Sequence, residues 1–318
     1  MISPLLALSL STLLPSVLAA EAKTEPLFVP AVAPALVGLA LYALSGIVHW
    51  IQFFRIGKPY MLPLPIGMTT MAIGFAVRIL VHNSPTSLGL NIGTTLLILL
   101  SPCLFLALDY VILGRLAGLF GPEIAKKCML IAPTRVATIF VWSDVGTFLI
   151  QAIGGSMTTS SKIDTINLGN KIVLVGLGLQ LASFGLFTTL MIVFGLRVRT
   201  RFPHVWRATG SADFAPFSKD SVADWHILYY TLCLSCVSIL IRSIFRMAEF
   251  IQGHKGYIST HEAFFYCFDA LPLWIAMTLY CSVWPPRFLS TPREAEAVEL
   301  HKNQGGVYGG ESASSLIL

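Results

Sequence analysis

The sequence predicts an all-α protein, a polytopic bundle of seven transmembrane helices with its N-terminus outside and its C-terminus in the cytoplasm. Three observations lead there. Hydrophobic residues make up 55% of the 318 and charged residues only 12%, where a soluble chain carries about a quarter charged. Seven apolar stretches are each long enough to cross a hydrocarbon core of about 30 Å at about 1.5 Å per residue. The basic residues gather in alternate connections.

Along the chain, residues 1–20 read as a signal peptide, because an apolar run ends in Val17-Leu18-Ala19-Ala20, a small-residue cleavage pattern. A retained N-terminal segment is the alternative, since no basic residue precedes the apolar core. Residues 21–31 form a short outer segment carrying Glu21, Lys23 and Glu25. The membrane domain, 32–289, follows. Its helices are placed near Val32–Phe54, Pro63–His82, Gly93–Leu113, Ala132–Gly155, Ile172–Phe194, Trp225–Phe245 and Ala263–Trp284. Residues 290–318, with Gly305-Gly306, Gly309-Gly310 and a serine cluster, read as a disordered cytoplasmic tail.

Orientation follows from charge. An outer N-terminus puts Arg55, Lys58, Arg115, Lys126, Lys127, Arg135, Arg197, Arg199, Arg201, Arg207, Lys219, Arg287, Arg293 and Lys302 on the inner side. That is fourteen basic residues against four outside, Lys23, Lys162, Lys171 and Lys255. The long inner connection from Arg197 to Asp224 either touches lipid headgroups or only anchors topology.

Several functions are disfavoured. There is no phosphate-cradling G-x-x-x-x-G-K-[ST] loop and no H-E-x-x-H or G-x-S-x-G motif, so an enzyme is not expected. Cys233-x-x-Cys236 has no second ligand pair and reads as small apolar residues, so neither metal nor cofactor is implied. The net charge of +5 lies in loops and points to no nucleic acid. A seven-helix sensor remains a second class, although no Asp-Arg-Tyr triplet ends the third helix and no lysine sits in the seventh.

The candidate site lies in the last two helices. Arg242, Arg246 and Glu249 close one apolar stretch and Glu262, Tyr266 and Asp269 open the next, both sets at the i, i+4, i+7 spacing of one helix face. Each charge in hydrocarbon costs about 2.5–3.5 kcal/mol on insertion scales, so these groups must pair or line a wet cavity. Further polar residues are His49 and Gln52 in the first helix, Arg78 in the second, Asp109 and Tyr110 in the third, and Asp144 and Gln151 on one face of the fourth.

These residues resemble a known pattern over about residues 45–289. The motifs are H-x-x-Q at His49 and Gln52, Y-x-x-L-G-R at Tyr110, Leu113, Gly114 and Arg115, and F-V-x-x-D with Q-x-x-G-G at Phe140, Val141, Asp144, Gln151, Gly154 and Gly155. The hairpin adds Arg242, Ser243, Arg246, Glu249, Gly253 and Gly256, then His261, Glu262, Tyr266 and Asp269. The chain is identified as similar to the fungal lipid-translocating exporters, seven-helix proteins of aminocholesterol and sphingoid-base resistance. Two departures stand out. Met71 replaces the acid that opens the second-helix motif, so Arg78 lacks an internal carboxylate partner, and Asp109 replaces an apolar residue.

The resemblance implies a fungal plasma-membrane or vesicular protein that exports or flips amphipathic lipids, or, as in one branch, moves porphyrin or haem. Its partners would be membrane lipids, among them cationic sphingoid bases. Two arginines against three carboxylates leave one negative charge over in the hairpin. That carboxylate, with Asp144, is expected to receive an ammonium headgroup whose hydroxyls bond Gln151 or Tyr266, in a groove between helices one, four, six and seven open to the outer leaflet. The alternative is a static salt-bridge ladder that pins the two helices.

Overall fold

Proline and glycine set where the helices begin. Proline occupies the first or second position of α2 (Pro63–Asn83), α4 (Gly121–Cys128) and α5 (Pro133–Met157), where the missing N–H leaves no helical bond unmade. Gly121, the first residue of α4 after α3 (Leu88–Leu119), adopts φ +83°, a left-handed conformation open to a residue without Cβ. The remaining helices are α1 (Val32–Ile56), α6 (Ile163–Arg201), α7 (Pro203–Arg207), α8 (Trp225–Gln252), α9 (Glu262–Phe264), α10 (Leu271–Ser282) and α11 (Pro285–Phe288). A π-helical stretch, Phe265–Ala270, joins α9 to α10.

The computed structural model describes residues 31–84, 87–158, 162–207, 224–252, 257 and 261–289. The signal-peptide stretch, nearly all of the segment to residue 31, most of the Arg197–Asp224 connection, Gly253, Gly256 and the tail lie outside the described residues. All seven expected crossings are present as helices long and apolar enough to span a membrane. The largest difference is α6, 39 residues rather than the expected 23. At about 1.5 Å per residue it is nearly twice the hydrocarbon thickness. Its extra turns place Asp164 at the N-terminal end and Arg199 and Arg201 at the C-terminal end, each favourable to the helix dipole.

Successive crossings pack side by side, and the last closes against α1 and α8, with α3 touching α2, α5 and α8 in the interior. The first and last crossings run parallel to each other along a ladder of hydrogen bonds. Tyr42 donates to the Ala270 carbonyl (2.8 Å), Trp274 to the Ser45 hydroxyl (3.0 Å), Gln52 to the Cys281 carbonyl (2.5 Å) and Trp284 to the Ile56 carbonyl (3.4 Å). Such polar contacts between helices are the directional part of packing where lipid tails remove the hydrophobic drive. On α5, Val136, Phe140, Asp144, Thr147, Gln151 and Gly154 face inward. Arg135, Ile139, Trp142, Leu149 and Ile153 are exposed on its other side.

Candidate functional site

The hairpin charges form a buried ion network. Asp269 is fully buried and binds two arginines of α8: Arg242 at 2.6 Å, and Arg246 through two bonds of 2.5 and 3.0 Å. Arg246 also reaches Glu249 at 3.2 Å, one turn along its own helix. Glu262 pairs at 3.0 Å with Arg78, which arrives from α2, and accepts the backbone N–H of Ala31. Phe265 lies between the two halves, its ring 4.7 Å from the Arg78 guanidinium carbon and 5.3 Å from that of Arg246.

This geometry corrects three expectations. Arg78 does have a carboxylate partner, supplied by the seventh crossing, while Met71, where the acid was missed, is a fully buried apolar residue. The hairpin holds no surplus negative charge, because Arg78 makes three arginines for three acids. Tyr266, expected beside Arg246 in the hairpin seam, instead stacks its ring on Phe75 at 6.1 Å and lies 6.0 Å from the Arg78 guanidinium.

Arg242 extends the network to α3. Its Nη1 donates to the Asp269 carbonyl (3.2 Å) and its Nη2 to the Ile98 carbonyl (3.3 Å). Pro102, inside α3, has no N–H to offer Ile98 four residues back, so that carbonyl is free for the guanidinium.

Deeper along α3 the chemistry changes. Asp144 of α5 is 2% exposed; its Oδ2 accepts the Tyr110 hydroxyl at 2.8 Å, while its Oδ1 has no hydrogen-bond partner among the described residues. Phe140 and Phe187 pack on the Tyr110 ring at 5.3 and 4.5 Å and hold the phenol in place. Two turns from Asp144, Gln151 donates to Gln180 of α6 (2.8 Å), and its own Oε1 is likewise buried without a donor among the described residues. Gln180 in turn points its amide at Cys103 of α3, 3.9 Å away. Asp109, next to Tyr110, accepts Ser235 (2.5 Å) and Tyr280 (2.9 Å). Among the described residues neither Asp109 nor Asp144 has an ion-pair partner.

His49 and Gln52 do not join this site. Gln52 donates to the Cys281 carbonyl, and His49 lies 3.4 Å from the thiol of that residue and stacks on Trp284. Ten residues separate Gln52 from Tyr42 at the level of the ion network, about 15 Å along the helix. The expected groove through helices one, four, six and seven is therefore split into an arginine-paired layer, a neutral-donor seam along α3, α5 and α6, and a cluster of α1 with α10. Pro102 was the sequence signal for the Arg242–Ile98 bond, and Gln180 stood out as a polar residue within the fifth apolar stretch; Tyr280 carried no signal that set it apart.

A family model described as RTA1-like protein matches residues 64–292. The chain belongs to the RTA1-like family. It is similar to Protein RTA1 of Saccharomyces cerevisiae, 36% identical over 225 residues, 70% of this chain and 65% of the relative. Protoporphyrin uptake protein 1 of the same yeast is 33% identical over 219 residues, 69% of this chain and 66% of that protein. Sphingoid long-chain base transporter RSB1 of strain YJM789 is 24% identical over 237 residues, 68% of this chain and 61% of that protein. The match thus spans just under two thirds of each relative's length. No solved structure matches it.

Within this RTA1-like chain the residues that carry the resemblance have distinct structural tasks. Phe140 and Tyr110 present the phenol to Asp144. Gly154 allows α5 to lie against α6, since a Cβ there would meet the Val173 nitrogen at 2.8 Å and the Gly169 carbonyl oxygen at 2.9 Å. Arg115 stands over the Tyr60 ring at 3.9 Å, at the opposite end of α3 from the ion network.

Proposed function

We propose that this RTA1-like protein translocates cationic amphiphilic lipids, with sphingoid long-chain bases as the cargo class, across the membrane in which it resides. The observation that carries the reading is the pair of buried acceptors, Asp144 Oδ1 and Gln151 Oε1, on one face of α5 with no donor to either among the described residues. A carboxylate kept in hydrocarbon without a cation costs about 2.5–3.5 kcal/mol on insertion scales, and what it lacks is what an ammonium supplies. The two residues are seven apart, about 10 Å along the helix. A headgroup bearing an amine and hydroxyls reaches both with hydrogen bonds of about 2.9 Å at each end.

In this reading Asp144 takes the ammonium and Gln151 a hydroxyl, with Gln180, half-buried, at the entrance between α5 and α6. The acyl chain stays in lipid along the exposed side of α5. The arginine-paired residues Arg242, Arg246, Glu249, Asp269, Arg78 and Glu262, with Tyr266 packed beside them, hold the crossings around the seam and do not themselves take cargo. The basic end of the bundle faces the cytoplasm and the membrane is the plasma membrane. The resemblance to a sphingoid long-chain base transporter supports the cargo class.

A second reading rests on the similarity to Protoporphyrin uptake protein 1. Porphyrin carboxylates would need cationic partners, whereas the seam offers acceptors; the chemistry favours the amine. The test is reconstitution of the purified chain into liposomes with a labelled long-chain base. Wild type is expected to move the base unaided, and Asp144→Asn to abolish movement while melting at the wild-type temperature. A wild type that binds the base without moving it would instead make the protein a sensor. Movement of protoporphyrin in place of the base would support the second reading.

A further inference from the structure

At the basic end of the bundle the residues from 115 to 135 and from 197 to 207 carry eight arginines and lysines against one acid, Glu123. Two of the arginines have fixed positions. Arg197 donates to the Cys128 carbonyl (3.5 Å) and Arg201 to the Lys127 carbonyl (3.3 Å), so α6 sets positive charge against the C-terminal end of α4. A cavity of about 490 Å³ opens between the end of α3, α4 and the start of α5. Its walls are apolar at Ala125, Met129 and Ile131, and its rim carries Lys126 and Thr134, both exposed.

The side of α5 that leads away from this cavity is apolar and unpartnered. Arg135 heads it, and Ile139 and Trp142 follow at i+4 and i+7 on the same face, Trp142 at 69% exposure. On the same end of the bundle Trp206, Trp225 and Tyr229 form an aromatic cluster, with the two indoles 5.3 Å apart. Trp and Tyr concentrate at headgroup depth. The cavity therefore lies where headgroups lie, with cations at its mouth and a hydrocarbon-facing strip below it.

We propose that this cavity seats one anionic glycerophospholipid of the adjoining leaflet. Its phosphate sits between Lys126 and Arg135 with the Thr134 hydroxyl as a further donor, and its acyl chains follow Ile139 and Trp142. The occupant is a lipid rather than a soluble anion because the cationic rim is joined to an exposed apolar strip of the same helix. The site is separate from the acceptors on the inner face of α5 and does not rest on the cargo assignment.

The test is native mass spectrometry of the purified full chain released from vesicles of equal phosphatidylserine and phosphatidylcholine. Wild type should retain phosphatidylserine in preference. Lys126→Gln and Arg135→Gln should each lower that preference roughly fivefold, the value of one basic side chain near an anionic surface, while the exposed Arg199→Gln should leave it unchanged. A wild-type preference for phosphatidylserine in the Lys126→Gln/Arg135→Gln double variant overturns the site, and so does a roughly fivefold loss in Arg199→Gln, which would mean diffuse attraction. Displacement of the lipid by inorganic phosphate alone would overturn the lipid as occupant. Liposome transport of a long-chain base, measured on the same variants, is expected to persist and reports separately on the cargo reading.

Discussion

Arg242 donates to the carbonyl of Ile98, the group that Pro102 leaves without its helical donor. One guanidinium thereby ties α3 to α8 and, through Asp269, to the last crossing. The proline does more than bend a helix: it exposes an acceptor in hydrocarbon that only another helix can satisfy. Arg242→Gln should destabilise the bundle by about 3–5 kcal/mol, the cost of leaving a buried partner unpaired. Adding Pro102→Ala should recover about 1 kcal/mol by returning an N–H to Ile98. Thermal unfolding of the purified variants measures both.

The three acids of the network should rank by burial. Asp269→Asn strips two arginines of their partner and should cost about 3–5 kcal/mol. Glu262→Gln, at a pair with 17% and 14% side-chain exposure, should cost less. Glu249→Gln removes an i, i+3 contact and should cost no more than about 0.5 kcal/mol. An equal loss for all three, read from unfolding or surface level, would deny the ranking.

Gly154→Ala should weaken the α5–α6 contact by about 1–3 kcal/mol, since the added Cβ meets backbone atoms that cannot rotate away. Gly155→Ala, with nothing within 4 Å of its Cβ, should be close to neutral. Paired melting curves decide it.

Gln52→Leu should lower stability by about 1 kcal/mol through loss of its bond to Cys281, and leave transport per folded molecule unchanged. A selective loss of transport with normal stability would return the first helix to the cargo path.

Tyr110→Phe removes the only donor given to Asp144 among the described residues. Base binding should persist in Tyr110→Phe and fail in Asp144→Asn, because the ammonium needs the carboxylate and not the phenol. Equilibrium binding of a labelled base to detergent-solubilised protein distinguishes the two.

Much of the architecture was legible in the residue order. Long apolar runs locate helices wherever backbone groups must be satisfied within their own segment, and the i, i+4, i+7 spacing put Arg242 and Arg246 on the surface that meets Asp269, whereas Glu262 turns to Arg78 of α2 and Glu249 pairs within its own helix. Tyr266 shares that spacing, yet packs against Phe75 and Arg78. The extension of α6 was missed because its added turns are polar and break the apolar run by which the crossing was placed.

What the chain determined alone is the class of molecule, the number of crossings and the presence of charges that must be compensated, since these depend on the local cost of placing polar atoms in lipid. Which acid keeps a cation was decided by tertiary packing. Arg78 and Glu262 are 184 residues apart, and their meeting balances the hairpin and leaves Asp144 as a carboxylate served by a phenol alone. Coulomb attraction acts through space, so the partner of a buried charge is set by which helices the fold brings within a few ångströms.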